Sequence, residues 1–233
     1  MSEETDEPEP VRLILFSGLA ADADVFIPQK LAFPRLKVPA WPVPEANDTL
    51  DSYARRMAEA LGPPGRMVIG GMSFGGIISL YAATYLDPLA VVLIGSVESP
   101  AELPCWLRLM RPLRPLLRFF PVRLMQFFLR PLASKFVRDR WPRWGGLARQ
   151  FRDCEPAVLK WSLARMLDWE TAPQLSCPVL RIHGDWDCVL PGPETADTII
   201  PGAGHLISLT HPTQVNDFLR KVLHDAALRP VVE

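Results

Sequence analysis

Met67-Val68-Ile69-Gly70-Gly71-Met72-Ser73-Phe74-Gly75-Gly76 decides how this chain is read. An apolar run enters G-x-S-x-G, and residues 77–83 continue it as a helix-like stretch. A serine on a sharp strand-to-helix turn sits in a crowded bend. The residues two before and two after it must be small, or their side chains would strike the neighbouring strand and helix. The bend lifts the hydroxyl above the carboxyl end of a sheet, where the free N–H groups and positive dipole end of the next helix face it. Gly and Ser are common, so the pattern alone is weak. β-forming residues before it, an apolar helix after it and no proline between strengthen it.

Outward from Ser73, the pattern of apolar runs repeats. Residues 11–16 (Val-Arg-Leu-Ile-Leu-Phe) read as a buried strand that ends at Ser17-Gly18. Residues 24–31 read as a short helix and 36–41 as a second strand, which Pro39 demotes towards an edge. Asp48-Thr49 caps a helix running to Leu61, with Leu50, Tyr53, Ala54, Met57, Ala58 and Leu61 on one face. After the helix that follows Ser73, strands are expected at 89–94, 178–183 and 197–200, and an amphipathic helix at 213–227. Strands alternating with helices predict an α/β fold: a mostly parallel sheet with helices on both faces.

Between residues 98 and 172 the alternation stops, and Pro104, Pro112, Pro115, Pro121, Pro131, Pro142 and Pro156 cut the chain into short helical pieces. The expected organisation is a tail at 1–10, a core at 11–98 and 173–233, and a helical insertion at 99–172 between two strands. The tail is acidic, with neither a basic start nor an apolar centre, so it reads as a disordered lead-in rather than a signal peptide. Cys105, Cys154, Cys177 and Cys188 have no metal-type spacing and read as free thiols, which places the chain in the cytoplasm. No apolar run is long enough to span a bilayer.

A serine needs a base, and the base an orienting acid. Of His183, His205, His211 and His224, His205 stands out: it follows the small residues Gly202-Ala203-Gly204 just beyond a strand. His183 ends a strand and suits a local hydrogen bond. His211 and His224 read as surface residues on the last helix. Asp187 lies in the loop after a strand, at the carboxyl edge of the sheet where active sites collect. Asp185 is its rival, with tying the turn as its alternative role. Glu98 is a weaker candidate.

On these three segments the chain resembles the α/β-hydrolase superfamily. Gly71-Met72-Ser73-Phe74-Gly75-Gly76 is similar to its nucleophile turn. His183-Gly184-x-x-Asp187-x-x-x-Pro191 is similar to its acid-bearing loop, which puts the acid on Asp187. Gly202-Ala203-Gly204-His205 is similar to the segment that carries its histidine. The resemblance implies a catalytic triad Ser73, Asp187 and His205 that hydrolyses a carboxylic ester or thioester through an acyl-enzyme, with no metal or cofactor. Relatives that cleave C–C or amide bonds, and a non-catalytic binding relative, are the alternatives. Where many members have His-Gly after the first central strand, this chain has Ser17-Gly18-Leu19. The implied oxyanion donors are the backbone N–H groups of Leu19 and Phe74. There is no room before Val11 for a leading antiparallel hairpin, so a trimmed sheet is expected. The insertion corresponds to the family's variable cap.

Charge is unevenly spread along the chain. Its net charge is −1, yet residues 106–152 hold twelve basic residues and one acid, Asp139, for +11. Arg108, Arg111, Arg114 and Arg118 recur at helical spacing among Leu107, Met110, Leu113, Leu117 and Phe120. The expectation is that the apolar side packs on the core and the arginines form a solvated face. The alternative is that they meet something anionic: an acidic membrane surface, or a phosphate- or carboxylate-bearing acyl substrate. Nucleic acid is disfavoured, because no recognisable nucleic-acid module accompanies the charge.

Overall fold

The computed structural model describes residues 10–128, 142–193 and 196–229. The acidic tail, except Pro10, and the basic residues from Arg130 to Arg140 lie outside them. Five parallel strands lie side by side in chain order: β1 (Arg12–Phe16), β2 (Met67–Met72), β3 (Ala90–Ile94), β4 (Val179–Gly184) and β5 (Thr198–Ile200). Registers such as Ile14↔Ile69, Ile69↔Val91 and Leu93↔Arg181 hold them together. β1, β2 and β3 are apolar and buried on both faces, as parallel strands under two helical layers must be.

Alternate residues feed two cores. Ile14, Phe16, Met67, Ile69, Val91 and Leu93 face one side, against α2 (Leu50–Leu61) and α3 (Phe74–Leu86). Leu13, Leu15, Val68, Met72, Val92 and Ile94 face the other. That second layer is the 3-10 turn Ala23–Phe26, α1 (Ile27–Ala32) and, near the C-terminus, two helices described below. α2 begins where its sequence predicts. Thr49 Oγ1 accepts from Ser52 N at 3.1 Å while Ser52 Oγ accepts from Thr49 N at 3.0 Å, a reciprocal cap.

The expected strand at 36–41 does not form. Lys37 alone bridges the outer edge of β1, exchanging hydrogen bonds with Leu13 and Leu15. Pro39, Pro42 and Pro44 follow, and each lacks the N–H that a ladder needs. The bridge still fixes the topology. The chain leaves β1 to one side and β2 lies on the other, which opens a crevice at the carboxyl ends of these two strands.

Between β3 and β4 the chain forms α4 (Cys105–Leu109), a 3-10 segment Arg111–Phe119, α5 (Val122–Phe128), α6 (Pro142–Asp153) and α7 (Pro156–Leu167). After β5 come α8 (Ile207–Thr210) and α9 (Pro212–Ala227). Here the expected polarity holds only in part: Leu107 is buried, Leu117 packs on the first core and Arg108 is exposed, but other positions depart from it. Arg111 donates to the carbonyl of Trp169 at 2.8 Å, and Arg114 pairs with Asp168 at 2.8 Å. Leu113 and Leu116, by contrast, are exposed. The reason is pitch. A 3-10 helix has three residues per turn, so residues 111, 114 and 117 share one row, which an α-helical reading does not give. Among the described residues no helix is long and apolar enough to cross a membrane.

Candidate active site

Ser73 closes β2 and opens α3, with φ 53° and ψ −123°. A non-glycine residue there costs about 1–3 kcal/mol, so the surroundings must hold it. They do so from β3. Ser73 N donates to the carbonyl of Ile94 at 3.2 Å, and Ser96 Oγ donates to the carbonyl of Ser73 at 2.6 Å. The flanking glycines answer to contact. A Cβ on Gly75 would stand 2.2 Å from the Ser17 oxygen, and one on Gly71 2.4 Å from the Gly75 carbonyl carbon. The bend therefore depends on β1 pressing against the start of α3.

The loop after β1 is equally constrained. Ser17 Oγ donates to the carbonyl of Ala21 at 2.9 Å, Ala21 N donates to that of Gly18 at 3.1 Å, and Ala20 has φ 56°. This turn sets Leu19 beside the Ser73 bend. Among the described residues, neither Leu19 N nor Phe74 N donates to a backbone carbonyl. Both amides belong to the two segments that border the crevice.

Asp187 and His205 come from separate loops and meet. His205 Nδ1 lies 2.7 Å from Asp187 Oδ2. The carboxylate is buried and fully engaged: Oδ1 accepts from Val189 N at 2.9 Å and Leu190 N at 3.0 Å. Oδ2 also faces His183 Nε2 at 3.1 Å. Burial pushes the Asp187 pKa up, but hydrogen bonds from His183 and His205, the His205 charge and the Leu190 amide outweigh it. The net shift holds this carboxyl well below the usual carboxylate range.

An ionised Asp187 only accepts, which assigns the tautomers. His205 carries its proton on Nδ1, leaving Nε2 free to take one. His183 Nε2 lies between Asp187 and the Leu190 carbonyl, 2.6 Å away, so it carries the proton there. Gly95, at φ 53°, leaves room for this pair: a Cβ there would stand 3.6 Å from Asp187 Oδ2 and 3.1 Å from the His205 carbonyl oxygen.

The rival residues have other partners. Asp185 Oδ1 accepts from Gly202 N at 2.6 Å and ties two loops. Glu98 pairs with Arg181 at 2.7 Å. His211 Nδ1 meets Thr210 Oγ1 at 2.9 Å, and His224 is exposed. His183 makes the local hydrogen bond expected of it, but its contact with Asp187 was not foreseen, nor were the parts of Ser96 and Gly95. The Gly95-Ser96 pair right after a buried strand was the available signal.

Ser73 and His205 line one cavity of about 230 Å3 together with Gly18, Leu19 and Met72. They make no hydrogen bond to each other among the described residues. A neighbouring cavity of about 280 Å3, walled by Val38, Trp41, Val158 and Leu159, shares Ala20 and Ala21 with it. Among the described residues no cluster of His, Cys, Asp or Glu could hold a metal ion.

Residues 11–218 match the model of the alpha/beta hydrolase family. Among solved structures, a thermophilic esterase from Thermogutta terrifontis is similar with a TM-score of 0.72 at 20% identity, over 93% of this chain and 90% of that one. The enol-lactonase from Burkholderia xenovorans gives 0.67 at 14%, over 93% and 92%. A membrane phospholipase A described as a bacterial virulence factor gives 0.66 at 18%, over 96% and 81%. At these identities the likeness is one of fold. No curated protein matches the sequence. On the family match, which spans the sheet and both cores, the chain belongs to the alpha/beta hydrolase family, a family of hydrolytic enzymes.

Proposed function

We propose that this chain hydrolyses carboxylic esters or thioesters, with Ser73 as nucleophile, His205 as base and Asp187 as its orienting acid. The observation that carries this reading is the 2.7 Å His205–Asp187 hydrogen bond at the edge of a cavity that Ser73 also lines. With Nδ1 committed to Asp187, Nε2 of His205 takes the Ser73 proton as Oγ attacks the acyl carbon. The buried carboxylate stabilises the imidazolium so formed. The Leu19 and Phe74 amides donate to the oxyanion, each worth about 3–4 kcal/mol in the transition state. His205 then protonates the leaving alcohol or thiol. Water attacks the acyl-enzyme by the same route, and the acid departs. Imidazole and hydroxyl need only close on one another when substrate displaces water, since such contacts are often loose in an empty site. The adjoining apolar cavity suits a hydrocarbon portion of the substrate.

The test is a panel of acyl esters and acyl thioesters of increasing chain length. Ser73→Ala should lower kcat about a thousandfold or more while the thermal melt stays cooperative. A fluorophosphonate probe should label Ser73. Full turnover by the variant, or a folded wild type that neither labels nor hydrolyses any member of the panel, would sink the proposal.

A further inference from the structure

Two consecutive elements between β3 and β4 leave rows of large apolar residues exposed. In Arg111–Phe119, residues three apart eclipse; in one row Arg111 donates to the carbonyl of Trp169, the half-exposed Arg114 pairs with Asp168 and Leu117 packs on the first core. The row Leu113, Leu116, Phe119 faces outward, at 49%, 58% and 68% exposure. α5 repeats the arrangement. Its buried residues are Val122 and a glutamine, Gln126, whose Nε2 donates to the carbonyls of Phe151 and Cys154. Leu124 and Phe128, one turn apart, are exposed, and so is Leu109 at the end of α4. Surface helices normally bury the apolar row, and a contiguous apolar patch rimmed by polar groups marks an interaction face.

Charge selects the occupant. Residues 103–128 contain no Asp or Glu. Arg108 and Arg123 are exposed and make no ion pair among the described residues. Apolar rows interleaved with guanidinium groups, with no acid among them, suit the boundary between lipid headgroups and acyl chains. Leucine and phenylalanine enter the acyl region and arginine meets the phosphates. The rest of the chain carries about −12 against +11 in 106–152, so an anionic surface attracts this face and repels the others. We infer that residues 105–128 dock the protein on an anionic lipid surface through Leu113, Leu116, Leu124 and Phe128, with Arg108 and Arg123 at the headgroups. The inference rests on the surface and not on Ser73 chemistry: a Ser73→Ala chain should bind lipid as the wild type does.

The experiment is co-sedimentation of the full chain with vesicles of phosphatidylcholine alone or mixed with phosphatidylglycerol, at low and high salt. Binding should require phosphatidylglycerol and weaken as salt rises. The double change Leu113→Glu and Leu116→Glu should weaken it about tenfold or more. Arg108→Ala with Arg123→Ala should weaken it about tenfold. Thermal melts show that the variants are folded. Should the double glutamate variant fail to fold, quenching of tryptophan fluorescence by acyl-brominated lipid reports on the wild type, since Trp106 is exposed one turn from Leu109. Equal sedimentation with phosphatidylcholine, or no binding and no quenching with phosphatidylglycerol, overturns the inference. So does a dimer in sedimentation velocity that the double glutamate variant splits, which would give the face to a second copy.

Discussion

Around Ser73 and along Arg111–Phe128 the same residue types take opposite places. In α3 every leucine and isoleucine is buried. The strand before it, the bend and the helix after it all point to one packing. Along α4 to α5, Leu109, Leu113, Leu116 and Leu124 stand in solvent, while Arg111 and a glutamine reach inward to backbone carbonyls. The contrast shows where apolar residues answer to the core and where they answer to something outside the chain. Long apolar runs of the sheet have one place to go. Short, proline-cut pieces have a choice, and helical pitch settles it.

A single substitution made at the elbow and further along the insertion, in α6, separates core from insertion most sharply. Gly75→Ala forces a Cβ to within 2.2 Å of the Ser17 oxygen and 2.3 Å of the Phe16 oxygen, and no side chain can yield there. It should cost about 3 kcal/mol in urea denaturation, at the upper end for overpacking. Gly146→Ala, in α6, meets nothing within 4 Å and should gain about 0.5–1 kcal/mol from helix propensity. Equal effects at the two positions would remove the distinction between the tight elbow and the loosely packed segment.

Asp187→Asn comes next, at about 2–3 kcal/mol at neutral pH, because His183, His205 and two amides lose a charged acceptor. The sign with pH follows from a folded pKa held below the usual value. The wild-type advantage is complete above the unfolded carboxyl pKa of about 4 and fades as pH falls below it towards the folded value. Paired denaturation curves at neutral and acid pH measure this. A gap that widens on acidification contradicts the assigned network.

Ser96→Ala should cost about 1 kcal/mol, the usual price of one buried hydrogen bond. It should also lower kcat more than it raises KM, because it loosens the carbonyl of Ser73 without touching a substrate.

The sheet was readable because parallel strands buried on both faces are apolar runs bounded by Gly and Pro. β2 and α3 begin where that pattern says. The segment 36–41 was not, since three prolines reduce an apolar stretch to a single bridging residue, Lys37. Asp187 and His205 were readable as partners from their loops. His183 was readable as a local hydrogen-bonding residue, but not its partners Asp187 and Leu190, because these depend on how the chain turns back after β4. The arginine-rich stretch was legible only in part because its spacing fits an α-helix, while the prolines at 112 and 115 remove amide donors and the segment winds as 3-10.

The smallest effect tests that last point. Leu113→Gln replaces an outward leucine, 49% exposed, in the row that a 3.6-residue period would have packed. If it lies in water as the 3-10 pitch places it, stability should change by no more than about 0.5 kcal/mol, which is ordinary for the surface. A buried leucine at the same point would cost about 2–5 kcal/mol on truncation alone, and more with an unpaired amide. The thermal midpoint of Leu113→Gln therefore decides between two pitches. An unchanged midpoint keeps the leucine row outward, and a fall of many degrees puts it in a core.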